Sequence, residues 1–133
     1  MIRCVLIDRD KAAQEALPQY LESYGISVCV GESEADLRHL LDAPNAVDIV
    51  VFDLALADGD VAALCHWVHA SLHKPLIVVT EHSDLVKRVV ALESGADDYI
   101  DRPYDQRELI ARIRAVLRRA VAVQGAGGDS VAL

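Results

Sequence analysis

Short apolar runs that alternate with helical segments are the feature that most constrains how this chain can fold. Three of these runs are each followed directly by a polar residue: residues 4–7 precede Asp8, residues 47–52 precede Asp53, and residues 76–79 precede Thr80. Such alternation is typical of βαβ units, which build a parallel sheet covered by helices on both faces. Parallel sheets carry their functional groups just beyond the carboxyl ends of the strands. We therefore expect Asp8, Asp53 and Thr80 to lie close together.

The remaining elements complete the same pattern. Another strand is predicted over residues 26–30, and a last one over residues 98–101 leads to Arg102 and Pro103. Helices are predicted over residues 11–24, around residues 37–41, over residues 61–71 and 84–94, and from the capping pair Asp105 and Glu108 onward. Five βα units without an internal repeat predict a doubly wound α/β sandwich.

Length and composition indicate one folded domain. A chain of 133 residues, 53% of them hydrophobic, can form a real core, and we assign residues 1–121 to it. The glycine-rich segment that follows, residues 122–133, is predicted to be a flexible linker. Because no apolar stretch approaches the roughly 20 residues that span a bilayer, and the N-terminus leads straight into a strand, we expect a cytoplasmic protein without membrane contact. A net charge of -8 argues against nucleic-acid binding by this domain itself.

Two segments carry a family resemblance: residues 95–104, GADDYIDRPY, and residues 108–119, ELIARIRAVLRR. Together with the spacing of Asp53 and Thr80, they resemble the receiver domain of two-component response regulators. The resemblance is to the OmpR/PhoB-type subgroup, in which a winged-helix DNA-binding domain follows the receiver. It implies a flavodoxin-like five-stranded (βα)5 sandwich that acts in signal transduction and transcription regulation rather than as an enzyme. It also implies a sensor histidine kinase as partner, and DNA contact only through a domain beyond residue 133.

The resemblance assigns roles to individual residues. Asp53 matches the phospho-acceptor, whose carboxylate forms an acyl phosphate. Thr80 matches the hydroxyl residue that closes on the phosphoryl group, and Tyr99 matches the aromatic switch that moves with it. Arg102 stands where the family has a lysine, and Pro103 matches a proline that usually follows a cis peptide bond.

A magnesium site is also implied, but its ligand set is incomplete. The matching metal positions are Asp8, Asp53 and Ala55, while the second of the family's two adjacent acids is replaced by Arg9. Arginine has no acceptor atom and cannot ligate a metal. A guanidinium about 4 Å from a unit positive charge would repel it by roughly 4 kcal/mol at an effective dielectric of 20, unless Arg9 swings into solvent. Mg²⁺ binding is therefore expected to be weak or absent.

Two further substitutions change the charge of the pocket. Arg102 keeps the positive charge of the usual lysine but presents a planar fork of donors. Glu81 follows Thr80 where a small residue is usual, and it would either repel a phosphoryl group or pair with an arginine. We hypothesise that Arg9 and Arg102 flank Asp53 and weaken or bypass Mg²⁺-dependent phosphorylation; ordinary phosphorylation is the alternative.

The resemblance further implies a homodimer through the fourth helix, fifth strand and fifth helix. Asp97, Asp98, Glu108 and Arg112 stand where the subgroup places ion pairs across that interface. A basic residue usual in the fourth helix is replaced by Val90, so Glu108 is expected to lack that partner. Exposed pairs contribute roughly 0 to 1 kcal/mol each, so we expect them to set register more than affinity.

A phosphatase is the rival interpretation. Asp8 and Asp10 resemble the nucleophile and the acid/base of the first motif of haloacid-dehalogenase-type phosphatases, and Thr80 resembles their second motif. That first motif normally continues into Gly and Thr, whereas Lys11 and Ala12 follow here. The position of a covalent label, Asp53 or Asp8, distinguishes the two interpretations.

Overall fold

A computed structural model describes the backbone of residues 1–130 and the side chains of residues 1–121. The strands are β1 (Ile2–Ile7), β2 (Ile26–Gly31), β3 (Ile49–Asp53), β4 (Leu76–Glu81) and β5 (Asp98–Arg102). The α-helices are α1 (Lys11–Glu22), α2 (Glu34–Leu40), α3 (Val61–His66), α4 (Leu85–Ser94) and α5 (Gln106–Ser130). A π-helical turn, Trp67–Ser71, extends α3. Within the described residues, no helix has both the length and the apolar character that crossing a bilayer requires.

The strands are all parallel and form one sheet in the order β2-β1-β3-β4-β5. The chain adds β2 on one side of β1 and then crosses over to add β3, β4 and β5 on the other. The switch point therefore lies between the carboxyl ends of β1 and β3, where sheets of this class open a crevice. The predicted doubly wound, five-stranded α/β fold is confirmed.

Alternate side chains of the strands enter two separate cores, as the two-residue repeat of a strand requires. Val5 and Ile7 of β1 pack with α2, α3 and α4, whereas Cys4 and Leu6 pack with α1 and α5. β3 is buried along its whole length. The strand that carries Asp53 is therefore fixed by packing on both faces, and so is the position of that carboxylate.

The last helix extends further than the sequence predicts. A flexible linker was expected over residues 122–133, but the backbone of α5 remains helical to Ser130. Once a helix is nucleated, each added residue gains a hydrogen bond, and the alanines around residue 120 favour this extension. The backbone over residues 122–130 is thus helical, while the role of this segment as a linker stays a prediction. Residues 131–133 of the expected linker lie outside the described residues, and the domain boundary at residue 121 stays a prediction.

Candidate functional site

Three buried polar residues lie at the carboxyl ends of adjacent strands. Asp8 follows β1, Asp53 ends β3, and Thr80 lies near the end of β4. Their exposed fractions are 0%, 2% and 3%, and no other polar or charged residue within residues 1–121 is as buried. Burying a polar group is costly unless it has partners, so the contacts of these three residues define the site.

Arg102 joins the two buried carboxylates. Its Nη2 donates to Asp8 Oδ1 and, at 2.9 Å, to Asp53 Oδ2. Arg102 ends the edge strand β5, and its side chain reaches past the end of β4 to the switch point between β1 and β3. Burial acts to lower the pKa of Arg102, but the hydrogen bonds and negative charges of Asp8 and Asp53 raise it overall. The arginine therefore stays charged and bridges both acids.

Arg9 lies over the pocket and does not swing into solvent. Its backbone N–H and its Nε lie 3.4 Å and 3.5 Å from Asp53 Oδ2, and its Nη2 donates to Glu81 Oε1. The other oxygen of Asp53, Oδ1, accepts the backbone N–H of Ala55 at 3.0 Å. A cavity of about 220 Å³ opens beside Asp53 and is lined in part by Arg9, Glu81 and Lys87. Glu81 thus pairs with an arginine at the rim of this cavity.

Two arginines offset the negative charge at the centre of the site. Two guanidinium groups, of Arg9 and Arg102, face the two buried carboxylates of Asp8 and Asp53. Glu81 adds a negative charge at the rim, where its side chain is 44% exposed. Arg9 lies at the same rim, with its side chain 48% exposed, so water screens the Arg9–Glu81 pair far more than the buried charges. Among the buried charges, Arg102 faces both Asp8 and Asp53.

Asp8 has a third partner that the sequence analysis did not assign. The hydroxyl of Tyr104 donates to Asp8 Oδ2 at 3.2 Å, and the backbone N–H of Asp10 donates to Asp8 Oδ1 at 2.8 Å. Burial, together with the charge of Asp8, raises the pKa of Tyr104 well above its ordinary value. The cis peptide bond predicted before Pro103 is present. Tyr104 directly follows Pro103, so the only signal in the sequence was an aromatic residue beside a predicted site residue.

Thr80 and Tyr99 share a neighbourhood with two residues outside the predicted set. The hydroxyl of Thr80 donates to Asp101 Oδ1 at 2.5 Å. The guanidinium carbon of Arg88 lies 4.5 Å from the centre of the half-buried Tyr99 ring. No local pattern in the sequence indicates Asp101 or Arg88, because their proximity depends on the β4–β5 register and on the docking of α4.

The residues expected at a dimer interface pair within one chain. Arg112 lies 3.1 Å from both carboxylate oxygens of Asp98 and 3.0 Å from Glu108 Oε2. Glu108 therefore has a basic partner on its own helix, one turn away. Asp97 is not part of this group, because its carboxylate accepts the backbone N–H of Leu76 at 2.8 Å.

An apolar stripe on α4 lies near these pairs. Four side chains spaced along the exposed side of the helix form it, and their exposed fractions run from 38% to 74%: Leu85, Val86, Val89 and Leu92. Most large apolar residues in the described chain are buried instead. We call this set the α4 stripe; an exposed apolar patch of this kind is typical of an interaction surface.

The phosphatase interpretation is not supported by the geometry. Asp10 serves as the N-cap of α1, where its carboxylate accepts the backbone N–H of Ala12 at 3.0 Å. Asp8 is wholly buried, and both of its carboxylate oxygens already accept hydrogen bonds. Asp53, by contrast, borders the open cavity.

The fold and this pocket define a class of protein. It is a doubly wound domain with a buried aspartate, Asp53, at the switch point, the hydroxyl of Thr80 on the neighbouring strand β4, and the positive charge of Arg102 from the last strand, β5. The sequence model of the response regulator receiver domain matches residues 4–114. The chain therefore belongs to the response regulator receiver family.

Relatives and solved structures agree with this assignment. The transcriptional regulatory protein GltR of Pseudomonas aeruginosa is 40% identical over 131 residues, which cover 96% of this chain and 54% of GltR. CpxR of Escherichia coli is 32% identical over 90% of this chain and 51% of its own length; both are OmpR/PhoB-type regulators. The crystal structure of the receiver domain of the TMAO respiratory response regulator TorR matches with a TM-score of 0.82 and 32% identity, covering 90% of this chain and 99% of that one. The chain spans about half the length of these curated relatives.

Proposed function

We propose that this domain is the signal-receiving part of a transcriptional regulator, with Asp53 as phospho-acceptor and two arginines in place of most of the positive charge of a metal. The observation that carries the proposal is that Arg9 and Arg102 both approach the same oxygen of Asp53. Receiver domains typically bind Mg²⁺ at such an acidic pocket. Here the positive charge is already present, so activation depends only weakly on the ion or proceeds without phosphate.

The donor set of the pocket does not suit Mg²⁺ as it stands. The ion demands near-octahedral oxygen ligands at about 2.0 to 2.1 Å. Both oxygens of Asp8 already accept hydrogen bonds, from Arg102 and Tyr104 among others, and Asp53 Oδ2 faces both arginines. Arg9 also stands where the family has an acidic ligand. A metal ion would have to displace a guanidinium before it could reach either carboxylate.

The chemistry that remains is a nucleophilic displacement by Asp53. One of its carboxylate oxygens attacks the phosphorus, the bond to the leaving group of the donor breaks, and an acyl phosphate stays on the chain. Arg102 is near enough to hold the phosphoryl oxygens, whereas Glu81 at the rim repels an incoming dianion. Because both oxygens of Asp53 already accept hydrogen bonds, we expect slow labelling of the wild-type chain.

The output surface in this proposal is a homodimer through α4, β5 and α5. The α4 stripe supplies the apolar area, while Arg112, Asp98 and Glu108 lie beside it and set the register. A two-fold interface uses the same patch on both copies. Asp97 is assigned to this interface as well, although its carboxylate also holds the start of β4.

The partners follow from the relatives rather than from the chain alone. GltR is a transcriptional regulatory protein about twice as long as this chain. We therefore propose that a DNA-binding domain follows this one in the complete protein, that a sensor histidine kinase is its phosphodonor, and that the protein acts in the cytoplasm. The domain carries a phosphoryl group stoichiometrically and is not proposed to turn over a substrate.

Magnesium affinity tests the role of Arg9. In the wild type we expect no saturation of the Ala55 and Asp53 amide NMR shifts at sub-millimolar Mg²⁺. Arg9→Asp removes a like charge and restores a ligand, and because the Arg9 side chain is 48% exposed, water screens part of the repulsion; binding should therefore tighten about tenfold or more. Arg107→Asp, the same charge change on a residue that is 79% exposed and outside the pocket, serves as the control. Sub-millimolar saturation in the wild type, or equal affinity in Arg9→Asp, would contradict the proposal.

The site of labelling tests the role of Asp53. After incubation with acetyl phosphate, any added phosphoryl mass should map to Asp53 and disappear in Asp53→Asn. A label on Asp8, or continuous hydrolysis of phosphate esters, would instead support a phosphatase.

A further inference from the structure

Thr80 and Asp101 are direct neighbours on adjacent strands. The β4–β5 register pairs Thr80 with Asp101, and the side chains lie on the same face of the sheet, where Thr80 Oγ1 donates to Asp101 Oδ1 at 2.5 Å. Asp53 belongs to β3, on the opposite side of β4. The hydroxyl of Thr80 therefore directs its proton towards β5, and the strand of Asp53 lies on the other side.

A hydroxyl group has only one proton to donate. Thr80 cannot donate to Asp101 and, at the same time, to a phosphoryl oxygen on Asp53. An ionised carboxylate only accepts hydrogen bonds, so the direction of the Thr80–Asp101 bond is fixed. Recruitment of Thr80 to Asp53 therefore requires that its bond to Asp101 break.

Asp101 is itself held in place from α4. Arg88 Nη2 lies 2.9 Å and 3.2 Å from the two carboxylate oxygens, and His82 Nδ1 lies 3.4 Å from Oδ2. Partial burial acts to raise the pKa of Asp101, but the hydrogen bonds from Thr80 and His82 and the charge of Arg88 lower it overall. The carboxylate is thus kept ionised, in the state that binds the hydroxyl of Thr80 most strongly.

Arg88 connects this carboxylate to Tyr99. Its side chain is only 14% exposed, and its guanidinium carbon lies 4.5 Å from the centre of the Tyr99 ring, within the range of a cation–π contact. The same guanidinium therefore touches the partner of Thr80 and the ring of Tyr99. A rearrangement of Asp101 changes the surroundings of both residues.

We propose that Asp101 is a positioning residue that holds the hydroxyl of Thr80 away from Asp53 and couples it, through Arg88, to the ring of Tyr99. The inference rests on the proposed function in one respect, namely that Thr80 serves a phosphoryl group on Asp53. Release of Thr80 from Asp101 is then a step that precedes stabilisation of the phosphorylated state, and the strength of this bond sets how readily the domain responds.

The direct test uses the 133-residue chain without any phosphodonor. Methyl-based NMR couplings report the χ1 rotamer of Thr80, and aromatic signals report Tyr99. In the wild type we expect one dominant Thr80 rotamer. In Asp101→Ala the couplings should be averaged over several Thr80 rotamers, and the Tyr99 signal should shift. Asp101→Asn should recover the wild-type rotamer, because its side-chain oxygen still accepts the hydrogen bond. Asp42→Ala, which removes a largely exposed carboxylate after α2, should leave Thr80 unchanged. An unchanged Thr80 rotamer in folded Asp101→Ala would overturn the proposal.

A second arm separates this proposal from the phosphorylation proposal. With acetyl phosphate, the initial rate of added mass should rise about tenfold in Asp101→Ala, since a hydrogen bond to a charged group no longer opposes the movement of Thr80. The rise should vanish in the double variant Asp101→Ala/Thr80→Val. If the Thr80 rotamer responds as expected and no variant takes up phosphate, the positioning role stands and the phospho-acceptor role fails. If the labelling rate still rises in the double variant, which lacks the Thr80 hydroxyl, Asp101 does not act through Thr80 and the proposal is overturned.

Discussion

Two arginine clusters in this domain use the same chemistry at very different depths. In the pocket, the side chain of Arg102 is 13% exposed and joins the side chains of Asp8 and Asp53, which are 0% and 3% exposed. Beside the α4 stripe, Arg112 is 34% exposed and joins Asp98 and Glu108, which are 20% and 46% exposed. Each arginine donates hydrogen bonds to two carboxylates, yet only the first cluster leaves a buried charge behind when the arginine is removed. We therefore expect the burial of the carboxylates to decide how much each cluster contributes to the stability of the fold.

Arg102→Ala gives the largest effect expected from this comparison. Loss of the guanidinium leaves Asp8 and Asp53 buried without their main cation, and breaking a buried pair in this way costs about 3 to 5 kcal/mol. Denaturant unfolding should show that decrease in the free energy of unfolding, and Arg102→Lys should recover part of it by restoring the charge. If Arg102→Ala lowers the free energy of unfolding by less than about 1 kcal/mol, the ion pairs of the pocket contribute no more to stability than exposed surface pairs do.

Substitution in the α4 stripe should have the next largest effect, on assembly rather than stability. Val86 is 74% exposed, so Val86→Glu should fold normally but place two carboxylates, one from each copy, in the proposed interface. We expect about a tenfold or greater weakening of the dimer in sedimentation experiments, from lost apolar contact and charge burial. A dimer unaffected by Val86→Glu would place the interface elsewhere.

Arg112→Glu should have the smallest effect of the three. It breaks the pairs with Asp98 and Glu108 and places like charges together, but the pairs are partly exposed and contribute roughly 0 to 1 kcal/mol each. We expect a modest loss of dimer and a small change in the free energy of unfolding, both reduced further at high salt because solvent-exposed charges are screened. A destabilisation as large as that of Arg102→Ala would remove the distinction between the two clusters.

The sequence predicts the positions of the pocket residues better than their partners. Asp8, Asp53 and Thr80 could be placed because each follows an apolar run, and the fold brings strand ends together. The Thr80–Asp101 bond depends on strand register, and the Arg9–Glu81 pair joins residues 72 positions apart; neither follows from local pattern. The Glu108–Arg112 pair has helical i, i+4 spacing. It was not predicted, because the family resemblance implied that these residues pair across a dimer interface. The helical backbone beyond residue 121 was missed because glycines indicated a linker.

The most direct test of the central claim, that Arg9 and Arg102 replace the charge of a metal, is the intact mass of the chain after incubation with acetyl phosphate. The reaction is run once with millimolar Mg²⁺ and once with a chelator. We expect little added mass, with about a twofold or smaller difference between the two conditions, because the guanidinium groups of Arg9 and Arg102 already lie beside Asp53. An increase of about tenfold or more with Mg²⁺, equivalent to at least 1.4 kcal/mol of metal-dependent stabilisation, would contradict that claim and restore ordinary metal-dependent phosphorylation.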